Sequence, residues 1–145
     1  MKRSELREHL FLMLFCKDFH PKEELSEQAQ LYLETADQFK IDEIAKHELK
    51  MPSEKEKEAL NSRFLDVVDK MDAIDEKIVE ASVGWKINRI GKVELTILRL
   101  AIFEMLYDEE IPTGVAINEA VELAKKFGED NSSAFVNGIL AKLAD

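Results

Sequence analysis

The sequence predicts an all-α fold, and three observations predict it. Apolar residues recur at spacings of three and four along nearly the whole chain. Few stretches alternate with a strand's period of two, and turn dipeptides of the hairpin kind are almost absent. The 145 residues suit a single domain, and 46% apolar residues supply a core without disulfide or metal staples. Five glycines and three prolines are far too few for a disordered or collagen-like chain.

The elements follow in order. A first helix opens near Ser4, a candidate N-cap, and runs to about Phe19, where His20-Pro21 stops it. A second spans about Lys22 to Phe39, with Leu25, Ala29, Tyr32, Leu33 and Ala36 on one side. Ile41 to Lys50 adds a weak turn or short helix before Pro52. Ser53 and Glu56 form an S-x-x-E capping box that opens a third helix, whose apolar side carries Leu60, Phe64, Val67, Val68 and Met71. Asp72 or Asp75 is read as the cap of the next segment, with Ile78, Val79 and Ala81, and Gly84 interrupts before Trp85. From Gly91 a strongly apolar helix carries Val93, Ile97, Leu98, Leu100, Ala101, Phe103, Met105 and Leu106. Ile111 to Gly114 connects it to a helix from about Val115 to Phe127, ended by Gly128 as a C′ residue. Asn131 to Ser133 cap a last helix reaching Leu143. The pattern gives six to eight helices, with no internal repeat.

Charge and motifs exclude several function classes. Thirty acids against twenty bases give a net charge of −10, so any nucleic-acid contact must come from a local basic patch. The single Cys16 cannot form an internal disulfide and reads as a packed small hydrophobe. The longest apolar run, Leu10 to Cys16, is too short to span a bilayer or serve as a cleavable signal. A soluble cytoplasmic protein without a membrane partner is expected. His9, His20 and His47 are scattered, and no paired-Cys, H-E-x-x-H, phosphate-loop, dinucleotide or nucleophile-elbow motif occurs. Glu119 and Glu122 share a helix face, read as a solvated charged face because no histidine partner follows. No catalytic residue, metal or cofactor is expected, and the chain is read as not an enzyme.

Other features are compatible with binding. Seven successive apolar residues from Leu10 to Cys16 cover every side of a helix. Such a helix is either central in a bundle or has a second apolar face for a partner. Lys2, Arg3, Arg7 and the α-amino group make one small basic knot against Glu5 and Glu8, and Lys125-Lys126 make a second at a helix end. Asn118 and Asn137 read as amides satisfied by backbone groups, and Gly138 as a site of close helix packing.

From Val93 onward the string VELTILRLAIFEML, followed by IPTGVAINEAVELAKKFGEDNSSAFVNGIL, resembles the bacterial NusB family of transcription antitermination factors. The resemblance is strong from Trp85 to Leu140 and collinear, though weaker, ahead of it. It implies one NusB-like domain over residues 1–145, an all-helical fold of about seven helices in two packed sub-bundles, roughly 1–80 and 81–145. It also implies binding of boxA RNA in ribosomal RNA leaders, as a heterodimer with NusE, a small-subunit ribosomal protein, within an RNA polymerase antitermination complex. No cofactor or catalysis is implied.

The family's helix-one motif resembles R-R-x-A-R-E-x-A-x-Q-x-L-Y. Here Arg3 to Phe15 reads R-S-E-L-R-E-H-L-F-L-M-L-F, so Arg3, Arg7, Glu8 and Leu14 match. Ser4 replaces an arginine, Glu5 holds an often basic position and Leu12 replaces glutamine. By resemblance Arg3, Arg7 and Phe135 are RNA-binding candidates, the last as a stacking aromatic, and the two basic knots add Lys2, Lys125 and Lys126. The NusE candidates are Phe15, Phe19 and Glu94. Two alternatives stand beside this reading: the NusB-like domain of an RNA cytosine methyltransferase, and a helical adaptor without RNA affinity.

Overall fold

A computed structural model describes residues 1–17, 22–34, 50–82 and 86–144. Among the described residues there are seven α-helices and two short 3-10 turns, and no strand: the all-α expectation holds. The helices are α1 (Arg3–Lys17), α2 (Leu25–Glu34), α3 (Glu54–Asp69), α4 (Met71–Ala81), α5 (Lys92–Tyr107), α6 (Thr113–Phe127) and α7 (Ser132–Ala144). The 3-10 turns are Lys22–Glu24 and Ile87–Arg89. The chain forms two compact units, Met1–Val68 and Asp69–Asp145. The readings placed at His20-Pro21, on Ala36 and Phe39, at Ile41 to His47 and at Gly84-Trp85 lie outside the described residues.

In the first unit α1 packs on α2, and Leu10 to Leu14 are each at most 6% exposed. The all-round apolar run therefore belongs to a central helix along those five residues, while Phe15 and Cys16 are half-buried. Burial pushes the Cys16 thiol above its ordinary value, which suits an inert packed group rather than a nucleophile. From α2, Leu25, Ala29, Tyr32 and Leu33 turn inward, and from α3 Leu60, Phe64 and Val67 do the same. The Ser53–Glu56 capping box is formed reciprocally: Ser53 N donates to Glu56 Oε1 at 2.8 Å and Glu56 N to Ser53 Oγ at 3.2 Å.

Ser4 is not the cap of α1. The helix starts one residue earlier, and the Lys2 carbonyl accepts from the Glu5 and Leu6 amides at 3.1 Å each. The reason lies in Glu5, whose carboxylate accepts the Lys2 amide at 3.1 Å and so supplies half a capping box at Lys2, two positions ahead of the serine.

His9 is the polar centre of this unit. It is fully buried, with Nε2 2.7 Å from the Lys50 carbonyl and Nδ1 2.9 Å from the Tyr32 hydroxyl. A carbonyl can only accept, so Nε2 carries the proton and donates, and Nδ1 accepts from Tyr32. Burial drives the Tyr32 phenol upward and keeps it a donor. One imidazole thus joins α1, α2 and the backbone ahead of α3.

The second unit is built around α5, which packs against α4, α6 and α7. Leu95 to Leu98 and Leu100 to Glu104 are all buried. Against it α6 presents Ala116, Ala120, Leu123, Ala124 and Phe127, and α7 presents Val136, Ile139 and Leu140. Neither Asp72 nor Asp75 caps α4. Lys70 stands at its N-cap without a side-chain bond, and Asp75 instead accepts two bonds from Arg99, Oδ1 from Nε at 2.8 Å and Oδ2 from Nη2 at 2.9 Å. This bidentate, half-buried pair fixes α4 on α5. At the other end of α4, Lys142 Nζ donates to the Ala81 carbonyl at 3.3 Å.

Three further expectations change. α6 begins at Thr113, two residues early, because Pro112 at φ −60° offers its carbonyl to the amides of Val115 and Ala116 at 3.0 and 3.1 Å. Gly128 ends α6 in extended backbone, φ −97° and ψ −172°, not in the left-handed region. Its glycine is needed for space: a Cβ there would lie 2.5 Å from the Ser132 side chain and 2.7 Å from the Ala124 carbonyl. Gly138 is exposed with nothing near its missing Cβ, so helix packing does not explain it. Asn118 and Asn137 also lie on the surface.

His9 makes stability depend on pH. Desolvation, the dominant influence, holds its imidazole below the ordinary 6.5, opposed by the Lys50 carbonyl. As pH falls below 6.5 the unfolded chain takes up this proton before the folded one, so stability is complete above that pH and declines beneath it. The slope from this group stays under about 1.4 kcal/mol per pH unit and levels off once the folded imidazole is itself protonated. Urea midpoints of the wild type should drop between about pH 7 and 5.5 more steeply than those of His9→Gln. Parallel pH profiles for the two proteins would remove His9 as the cause.

Candidate functional site

The head of α1 carries one candidate surface. Lys2 and Arg3 are exposed, and Arg7, one turn on from Arg3 and on the same face, is half-buried. Their charge is partly answered nearby. The Met1 amino group lies 3.1 Å from Glu56 Oε2 and so is removed from the basic knot to which the sequence assigned it. The Ser53 amide first, and the Met1 ammonium second, hold the Glu56 carboxyl below its ordinary value.

Lys50 joins this surface unannounced by the sequence. Its Nζ stands 4.0 Å from Glu5 Oε2, and its side chain is 74% exposed. Nothing in local periodicity signals it, because the contact depends on the chain returning to α1 through the His9 hydrogen bond.

A second candidate surface occupies one end of the second unit. Lys125 and Lys126 form the last turn of α6, where cations complement the helix dipole. Lys125 pairs with Glu122 at 3.6 Å, both side chains mostly exposed, which confirms the solvated-face reading of that glutamate. Lys126 Nζ sits 5.8 Å from the centre of the Phe127 ring. Phe135 is half-buried in the first turn of α7. The tight Gly128–Ser132 corner brings the start of α7 back to the end of α6, so Lys125, Lys126 and Phe135 share that end.

Of the partner candidates, Phe15 lies near the far end of α1, about 18 Å along the axis from Arg3 at 1.5 Å per residue. It is half-buried, its ring 6.1 Å from that of Phe11. Glu94 occupies the first turn of α5, half-buried, with its carboxylate curled over Gly91 so closely that a Cβ there would stand 2.9 Å from Oε1. Phe19 lies outside the described residues.

Chemistry for catalysis is not assembled at either surface. His9 is held in a satisfied core network rather than facing solvent. Among the described residues no three of His, Cys, Asp and Glu converge as a metal site, and no helix is long and apolar enough to cross a membrane. What the surfaces offer is charge and exposed aromatic area.

Comparison with known proteins identifies the family. The model of the NusB family matches residues 4–145. The transcription antitermination protein NusB of Lachnoclostridium phytofermentans is 49% identical over 145 residues, covering all of both chains. That of Agathobacter rectalis is 45% identical over 144 residues, covering 99% of this chain and all of its own. A solved structure of T. maritima NusB is similar with a TM-score of 0.80 and 31% identity, over 99% of this chain and 91% of that one.

The burial difference along α1 is measurable. Phe11→Ala, at a fully buried position, should cost about 3–5 kcal/mol. Phe15→Ala, half-buried, should cost about 1–2 kcal/mol and keep the helical circular dichroism spectrum. Equal losses in urea unfolding would make Phe15 a core residue and withdraw it from the surface.

Proposed function

The chain belongs to the NusB family of transcription antitermination proteins, and on that premise we propose that it binds boxA RNA of ribosomal RNA leader transcripts together with NusE. The observation that carries this reading is the basic head of α1, exposed at Lys2 and Arg3 on a chain of net charge −10. Cations gathered locally against such a field need a purpose, and a phosphate backbone supplies one. The relatives are antitermination proteins and not enzymes, and this chain is not an enzyme either.

Lys2, Arg3 and Arg7 serve as phosphate and base contacts from α1. Lys125 and Lys126 add charge at the end of α6, and Phe135 offers a stacking ring. Phe15 on α1 and Glu94 on α5, with Phe19 added by resemblance alone, are the residues offered to NusE, whose basic character as a ribosomal protein complements the acidic residue. The assembled pair joins the RNA polymerase antitermination complex, in the cytoplasm. A helical adaptor without RNA affinity is the competing reading, favoured by the overall charge and by Glu5 and Glu56 beside the basic head.

The two readings separate in a salt titration. Each single-strand phosphate contact adds about −0.7 to the log–log slope, so two to four contacts give the chain alone a shallow slope of roughly −1.4 to −2.8. Addition of NusE should tighten binding and steepen the slope, while Arg7→Ala weakens boxA binding. Phe15→Ala should weaken NusE binding, and Glu94→Lys should slow NusE association. Absence of boxA binding with and without NusE selects the adaptor.

A further inference from the structure

We propose that Lys50 is a further contact to the RNA phosphate backbone, on the same surface as Lys2, Arg3 and Arg7; this rests on the RNA reading above. Three observations converge. The backbone of Lys50 is anchored to α1, because its carbonyl accepts from buried His9 at 2.7 Å and the ring is fixed on its other side by Tyr32 at 2.9 Å. The side chain stays 74% exposed. Its ammonium points back to the helix start, 4.0 Å from Glu5 Oε2, while Glu5 Oε1 accepts the Lys2 amide at 3.1 Å.

One carboxylate therefore sits between the Lys50 ammonium and the Lys2 backbone, which places the Lys50 charge at the exposed head of α1. An exposed ion pair at the outer limit of distance is weak. A phosphate brought up by Lys2 and Arg3 can draw the ammonium away from Glu5, and the anchored backbone keeps it within reach. The ligand is the phosphodiester backbone of a single strand, recognised as charge rather than sequence. Because the structural role belongs to the carbonyl of residue 50, its side chain can be changed without loss of the fold.

The experiment is fluorescence anisotropy with a labelled boxA oligoribonucleotide and a scrambled single strand, over a range of potassium chloride. Wild type, Lys50→Gln, Lys50→Arg and Arg7→Ala are compared, with Lys50→Gln repeated in a Glu5→Gln background. Lys50→Gln should lower affinity for both RNAs about five- to tenfold at about 50 mM salt and reduce the slope by about 0.7. Lys50→Arg should retain both. The slope loss should persist in the Glu5→Gln background, since a contact does not need Glu5; its disappearance there would mean that Lys50 only masks Glu5, and overturns the contact. Wild-type affinity and slope in Lys50→Gln, with Arg7→Ala weakened, overturn Lys50 while leaving the RNA reading intact. A wild type with no salt-dependent binding of either RNA overturns that reading and Lys50 with it.

Discussion

The first unit depends on one buried imidazole. His9 takes the Tyr32 hydroxyl on one nitrogen and gives a proton to the Lys50 carbonyl from the other. A histidine in a fully buried position is costly unless both ring nitrogens are satisfied. Here the two partners come from α2 and from the segment before α3, so satisfying the ring also gathers three parts of the chain. The arrangement of the α1 head follows from it. Lys50 returns to Glu5, Ser53 and Glu56 close the start of α3, and Glu56 reaches the Met1 amino group.

The second unit gathers its helices around a largely apolar one. Its central helix is apolar on nearly every side, and the neighbours close around it. Specific orientation of α4 on α5 comes from a half-buried pair, Asp75 with Arg99. Such a pair contributes less through net attraction than through geometry, because only one rotation of α4 satisfies both bonds.

Much of this was legible in the sequence where local rules govern. The apolar stretches at Leu10 to Leu14 and Leu95 to Phe103 identify helices that must be surrounded, and the S-x-x-E box marks the start of α3. Family resemblance rested on long strings in the second half and pointed to Arg3, Arg7, Phe135, Phe15, Phe19 and Glu94, while charge clustering alone pointed to Lys2, Lys125 and Lys126. What stayed hidden was long-range. Asp75 reads as a cap in its own neighbourhood and becomes the partner of Arg99 only through tertiary contact. Lys50 lies in an unpatterned stretch and meets α1 through a hydrogen bond made by its backbone, which carries no sequence signature. Gly128 is required by a side chain four residues later rather than by its own dihedral angles.

The alanines of α6 have a consequence for how the Lys125–Phe135 end behaves. Ala116, Ala120 and Ala124 are at most 2% exposed and carry no side-chain torsion that could be frozen or released. Helices in contact through methyl groups approach closely and leave few alternative packings. The corner beyond them, pinned by Gly128 against Ser132, is therefore a preformed template rather than a surface that orders on contact. The backbone of that end would cost little to order on contact, and the cost on the protein's side would fall on side chains such as the exposed Lys125.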